Sequence, residues 1–113
     1  MSTADLELSP ERVDEIRADE RWQIVDVRED AEHEAGRIAG SRHVELGRLT
    51  AEAGSIDRDR PVVFYCRVGA RSAMAAQAFR ASGWDAYSMG GGLLQWDARG
   101  LPLDPPDGRV ADH

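Results

Sequence analysis

The residues best suited to chemistry lie in one short run, Cys66-Arg67-Val68-Gly69-Ala70-Arg71-Ser72. Cys66 is the only cysteine of the chain. It follows an apolar strand-like stretch and precedes an Ala-rich helical stretch. A helix N-terminus presents unpaired N–H groups and about half a positive charge, and both favour a thiolate over a thiol. Arg67 and Arg71 flank the same helix entrance. Cations there are unfavourable by about 0.3–1 kcal/mol each when exposed, so two of them concentrate a potential that an anion would relieve. Guanidinium groups also carry a planar donor fork that suits oxyanions. Gly69 sits mid-loop, where it permits a positive φ and a close approach of backbone to a bound group. Successive amides of such a loop would form an anion-binding nest around the sulfur. Ser72 is placed to cap the following helix.

The elements that must hold this loop read as alternating strands and helices. Residues 6–8 form a short strand. Ser9-Pro10 then starts a helix with Val13 and Ile16 on its apolar face, ending near Ala18-Asp19. Residues 23–27 form a second strand. Residues 30–35 form a short helix stopped by Gly36. Residues 42–46 suggest a third strand, followed by one or two helical turns through Leu46, Leu49 and Ala53. Residues 61–65 form the strongest strand, apolar throughout its centre as expected of one covered on both faces. Residues 72–82 form a helix, 85–89 the last strand and 93–98 a final short helix. From Gly100 onward, Pro102, Pro105, Pro106 and Gly108 read as an ordered strap that gives way to a tail. The expectation is one domain over 1–113, with a core of about 5–104 and a tail at 105–113. Strand-helix alternation implies an α/β fold with a mostly parallel sheet and helices on both faces. Sites in such sheets sit beyond the carboxyl ends of strands, where Cys66 falls.

Three segments together resemble the rhodanese-like sulfurtransferase family. Cys66-Arg-Val-Gly-Ala-Arg71 resembles its CRxGxR active-site loop. Asp26-Val-Arg28-Glu29, followed by Glu32 or Glu34 and by Gly36-Arg-Ile-Ala-Gly40-Ser41, resembles its first signature. Gly91-Gly92-Leu-Leu-Gln-Trp96, followed by Gly100-Leu-Pro102, resembles its closing one. Arg37, Ser41 and Gly90 depart from the family pattern at the rim and leave the Cys loop intact. The resemblance implies a single three-layer rhodanese-like domain, a five-stranded, mostly parallel sheet between helices. It also implies transfer of a sulfane sulfur, from thiosulfate or a persulfide donor, through a Cys66 persulfide to cyanide, a thiol or a carrier protein. Cys66 would be the catalytic nucleophile. Arg67, Val68, Gly69, Ala70, Arg71 and Ser72 would form the loop that binds the anionic donor. From their place after a strand, Asp26 and Arg28 are expected to form an ion pair or to brace loops near the site.

Two other classes compete. A phosphatase or arsenate reductase of the same fold would place five residues between Cys and Arg; here there are four, a tighter cradle suited to a single sulfur atom. A docking module would not need the Cys with both Arg.

Composition narrows the partners. The net charge is -7, all 14 basic residues are Arg, and no basic stripe is present, which argues against nucleic acid and acidic membranes. One Cys and three scattered His give no metal-ligand spacing, and no cofactor is implied. The first residues lack the features of a signal peptide, so a cytoplasmic location is the default. Tyr65 should point away from Cys66. Trp22, Trp84 and Trp96 read as packing residues, with Trp96 nearest the loop, and His33 and His43 as loop or surface contacts.

Overall fold

The computed structural model describes residues 6–112. Five parallel strands are β1 (Glu7–Leu8), β2 (Gln23–Asp26), β3 (Arg42–His43), β4 (Val62–Tyr65) and β5 (Ala86–Met89), arranged β1-β5-β4-β2-β3. The helices are α1 (Pro10–Ile16), α2 (Asp30–Ala35), α3 (Leu49–Glu52), α4 (Ala70–Ala81) and α5 (Gly92–Ala98), with 3-10 turns at Leu46–Arg48 and Ala53–Ser55. The fold is the α/β class expected from the alternation. Among the described residues, no helix is long and apolar enough to cross a membrane.

Every residue of β4 is buried, because this central strand is covered on both faces. Its pleat sends alternate side chains to opposite layers. Val62, Phe64 and Cys66 join Val25, Leu49, Ala76 and Phe79 on one side. Val63 and Tyr65 join Val13, Ile16, Met89, Leu93 and Trp96 on the other. Tyr65 therefore points away from Cys66, and its hydroxyl accepts the Ile38 amide at 3.1 Å and pairs with Ser41 Oγ at 2.8 Å. Phe64 meets Phe79 edge-on at 4.9 Å between centroids. Such aromatic pairs add about 0.5–1.5 kcal/mol beyond the area they bury.

After β2 the chain moves outward to β3; after β4 it moves the other way to β5. The carboxyl ends of β2 and β4 thus flank the point where the winding reverses, the place such sheets use for ligands. Asp26 and Tyr65 are paired in register there, directly ahead of Val27 and Cys66, with Arg28 one residue further on.

Local chemistry explains the helix starts. Ser9 Oγ accepts the Arg12 amide at 3.1 Å, with Pro10 in the first turn. At α2, Glu29 and Glu32 form a reciprocal capping box. The α4 start differs from expectation. The helix begins at Ala70, two residues early, and its N-cap is Gly69 at φ 106°. A left-handed glycine makes the entry, so Ser72 falls inside the first turn and caps nothing. The expected third strand shortens to two residues.

The chain after Asp104 also packs, although a tail was expected from residue 105. Arg37 and Asp104 form an antiparallel bridge, and the Arg109 amide donates to Ala35 O at 2.9 Å. Gly108 lies against Gly36, and Val110 packs on the Trp96 layer.

Candidate active site

Cys66 extends the pleat of β4, so its side chain follows Phe64 into the α4-side layer, and the residue is 0% exposed. Its Sγ accepts the Gly69 amide at 3.1 Å and lies 3.6 Å from Ser72 Oγ. The expected nest of several amides is thus represented on the sulfur by one amide, because the thiol points down into the core rather than up into the loop. Ser72 replaces its expected capping role with another. Its hydroxyl donates to Gly69 O at 3.2 Å, lies 2.8 Å from Ser88 Oγ, and ties the loop to β5.

The α5 start holds the loop from the other side. The Leu93 and Leu94 amides donate to Cys66 O and Arg67 O at 2.8 and 3.0 Å. Gly92 adopts φ +63°, and a Cβ on it would lie 2.7 Å from Cys66 O and still closer to Arg67 O. Two glycine-dependent turns, at Gly69 and Gly92, therefore interlock around the cysteine. Val68 is 52% exposed at the loop crest, and Met74 is 62% exposed one helical turn beyond Ala70.

The two loop arginines have separate surroundings. Arg71 forks onto Glu32, with Nη1–Oε1 at 2.8 Å and Nη2–Oε2 at 3.0 Å. Glu32 also accepts the Glu29 amide at 3.0 Å. Burial would raise the Glu32 carboxyl, but the Arg71 fork and the amide outweigh it and hold it below its ordinary value. Arg71 is raised in turn, first by Glu32 and to a lesser degree by Cys66. Arg67 Nη2 pairs with Asp112 Oδ1 at 3.2 Å, while its Nε is buried without a hydrogen-bond partner.

Asp26 and Arg28 are both fully buried. Arg28 Nε and Nη2 reach the two Asp26 oxygens at 2.9 and 2.7 Å, and Nη2 also donates to Gly36 O. His33 Nδ1 adds a contact to Asp26 Oδ2 at 2.8 Å, and its ring stacks on His43 at 4.5 Å. Desolvation opposes ionisation of Asp26, but His33 and Arg28 prevail and keep the carboxyl low. The expected ion pair is present. His33, expected as a loop contact, is its third member. Trp96 is buried, donating to Pro102 O at 2.8 Å.

Glu32 and Asp112 were not singled out from the sequence as partners of the loop. Glu32 had a local signal, its place three residues after Glu29 at a helix start. Asp112 had none.

A Rhodanese-like domain is matched over residues 9–99. The chain belongs to the rhodanese-like family. Similar rhodanese-like and sulfurtransferase relatives include the thiosulfate sulfurtransferase GlpE of Pseudomonas aeruginosa, 34% identical over 111 residues, covering 97% of this chain and 99% of that protein. The putative sulfurtransferase YtwF of Bacillus subtilis is 32% identical over 89 residues, covering 79% and 86%. Among solved structures, a rhodanese-related protein from Thermoplasma volcanium superposes with a TM-score of 0.80 at 26% identity, covering 86% of this chain and 95% of that one.

Proposed function

We propose that the protein is a sulfurtransferase in which Cys66 carries the sulfur as a persulfide. The reading is supported by sulfurtransferase relatives and by one observation above all. The only thiol stands at the winding reversal of a rhodanese-like sheet, with its Sγ on the Gly69 amide and Arg71 within electrostatic reach.

The Cys66 thiolate attacks the outer sulfur of a donor. With thiosulfate, the donor S–S bond breaks, a new S–S bond forms to Sγ, and sulfite leaves with the bonding electron pair. A thiophile then attacks the outer sulfur of the persulfide and regenerates the thiolate. Neither step requires a dedicated general acid, since thiolate and sulfite are competent near neutral pH. Covalent transfer in two half-reactions gives ping-pong kinetics. Loop residues 67–72 bind the donor, with the Gly69 amide at the reacting sulfur. Asp26 and Arg28 hold the segment beside it.

The test is intact mass spectrometry after exposure to thiosulfate and, separately, to 2-hydroxyethyl persulfide. Wild type gains one sulfur atom from at least one donor, and Cys66→Ala gains none. A wild-type protein that gains no sulfur from either would refute the reading.

A further inference from the structure

Cys66 Sγ has to enter the reaction as a thiolate and leave it as one. The charge formed on leaving falls on a sulfur that is 0% exposed and set in the layer of Phe64, Ala75 and Ala76. An anion forming there needs donors aimed at it beforehand. The Gly69 amide is one, at 3.1 Å. Beneath the sulfur lie two further buried polar atoms. Ser72 Oγ is 3.6 Å from Sγ, and Ser88 Oγ is 2.8 Å from Ser72 Oγ. Ser88 comes from β5 and is 1% exposed.

The protons of this pair follow from its surroundings. A buried hydroxyl needs an acceptor for its hydrogen. The polar contact of Ser88 Oγ is with Ser72 Oγ, so Ser88 donates and Ser72 accepts. Ser72 then has one proton of its own and two acceptors in reach, Gly69 O at 3.2 Å and Cys66 Sγ. With the thiol protonated, its S–H points to Ser72 and the Ser72 proton stays on Gly69 O. A thiolate has no proton to give, and the contact then holds only if Ser72 donates to it. Gly69 O is not orphaned by that turn, because it also accepts the Ala73 amide at 3.0 Å.

Resting on the sulfur-transfer reading, we infer that Ser88 is a positioning residue for sulfur release, acting through the Ser72 hydroxyl on Cys66 Sγ. In discharge of the persulfide anion to cyanide, the cyanide carbon forms a bond to the outer sulfur. The bond between that sulfur and Sγ breaks, and its electron pair stays on Sγ. The sulfur crosses as a neutral six-electron atom, so thiocyanate and the Cys66 thiolate are the products and no oxidant or reductant enters. As charge builds on Sγ, the Ser72 hydroxyl turns from Gly69 O to the sulfur. Donation from Ser88 polarises that hydroxyl and strengthens the bond it gives. In loading, the same bond is present before attack and weakens as charge leaves Sγ. The serine pair therefore assists discharge more than loading.

The test compares wild type, Ser72→Ala, Ser88→Ala and Ser88→Thr as full chains in two single-turnover measurements read by intact mass. One is loading from thiosulfate or from 2-hydroxyethyl persulfide; the other is discharge of the loaded protein to cyanide. The ratio of discharge to loading rates falls about tenfold in Ser72→Ala, the order of one hydrogen bond to a charged atom. It falls about threefold in Ser88→Ala, which leaves Ser72 its Gly69 partner and orphans no buried group. Ser88→Thr keeps the hydroxyl and restores the wild-type ratio. A serine pair that only ties the loop to β5 would slow both half-reactions by the same factor and lower the urea midpoint. That result, or a ratio unmoved in Ser88→Ala, would overturn the inference and leave the sulfurtransferase reading intact. So would a Ser88→Thr protein with the wild-type urea midpoint and the ratio of the alanine variant. Loading of wild type from neither donor would remove the sulfurtransferase reading itself, and the role of Ser88 with it.

Discussion

Arg71 and Glu32 form the pair on which the Cys66 loop leans, and their separation by 39 residues hides it from sequence inspection. From the sequence, Arg71 reads as an anion binder that also holds the loop in shape; in the structure its fork closes on Glu32, a partner that the sequence does not name. Removing it leaves a nearly buried carboxylate without its partner. Breaking such pairs costs about 3–5 kcal/mol, and the 19% exposure of Arg71 places this one at the low end. Arg71→Ala is therefore expected to lose about 3 kcal/mol in a urea titration, together with sulfur loading. A variant that loses loading at unchanged stability would assign Arg71 to donor binding alone. Ser72 shows the complementary case. Its identity suggests a cap, yet the left-handed Gly69 takes that place, and the hydroxyl bonds instead to Ser88, which sequence spacing does not reveal.

At the level of elements, the strands and the larger helix were legible because their signals are local. The four apolar residues of β4 match a strand covered on both faces, and Ser9-Pro10 marks the α1 start. Helix ends were less legible, since glycine conformations at 69 and 92 depend on contacts between two loops more than twenty residues apart. That interlock has a mechanical consequence. Gly92→Ala would drive a methyl group into the Cys66 and Arg67 carbonyls, which are backbone and cannot swing aside. Overpacking of this kind costs about 1–3 kcal/mol, and the positive φ adds about 1 more. The expected outcome is a destabilised protein with faster amide exchange at Leu93 and Leu94, whose hydrogen bonds hold the loop. Wild-type exchange at those two amides would show that the turns are independent. The packing after Asp104 was illegible for a related reason: its hydrogen bonds run to Arg37 and Ala35, about seventy residues away.

For the molecule as a whole, the acid limit of stability follows from buried carboxylates. Asp26 and Glu32 are both held below their ordinary values in the fold. A depressed folded value means the unfolded chain binds protons first as pH falls. The stability these groups contribute is full above the unfolded carboxylate range of about 4 and is lost as pH descends through their folded values. The urea midpoint is expected to be insensitive to these two groups from pH 7 to 5 and to fall below about pH 4. A midpoint that holds or rises toward pH 3 would contradict the assignment. The sheet order makes this network central, since Asp26 ends the strand hydrogen-bonded to β4 and Arg28 ties it to Gly36.

The folded-back segment at Arg109–Asp112 also bears on the cysteine loop. Asp112 ends within a hydrogen bond's length of Arg67. Any change that displaces Asp112 therefore acts first on Arg67, and through it on the loop that carries Cys66.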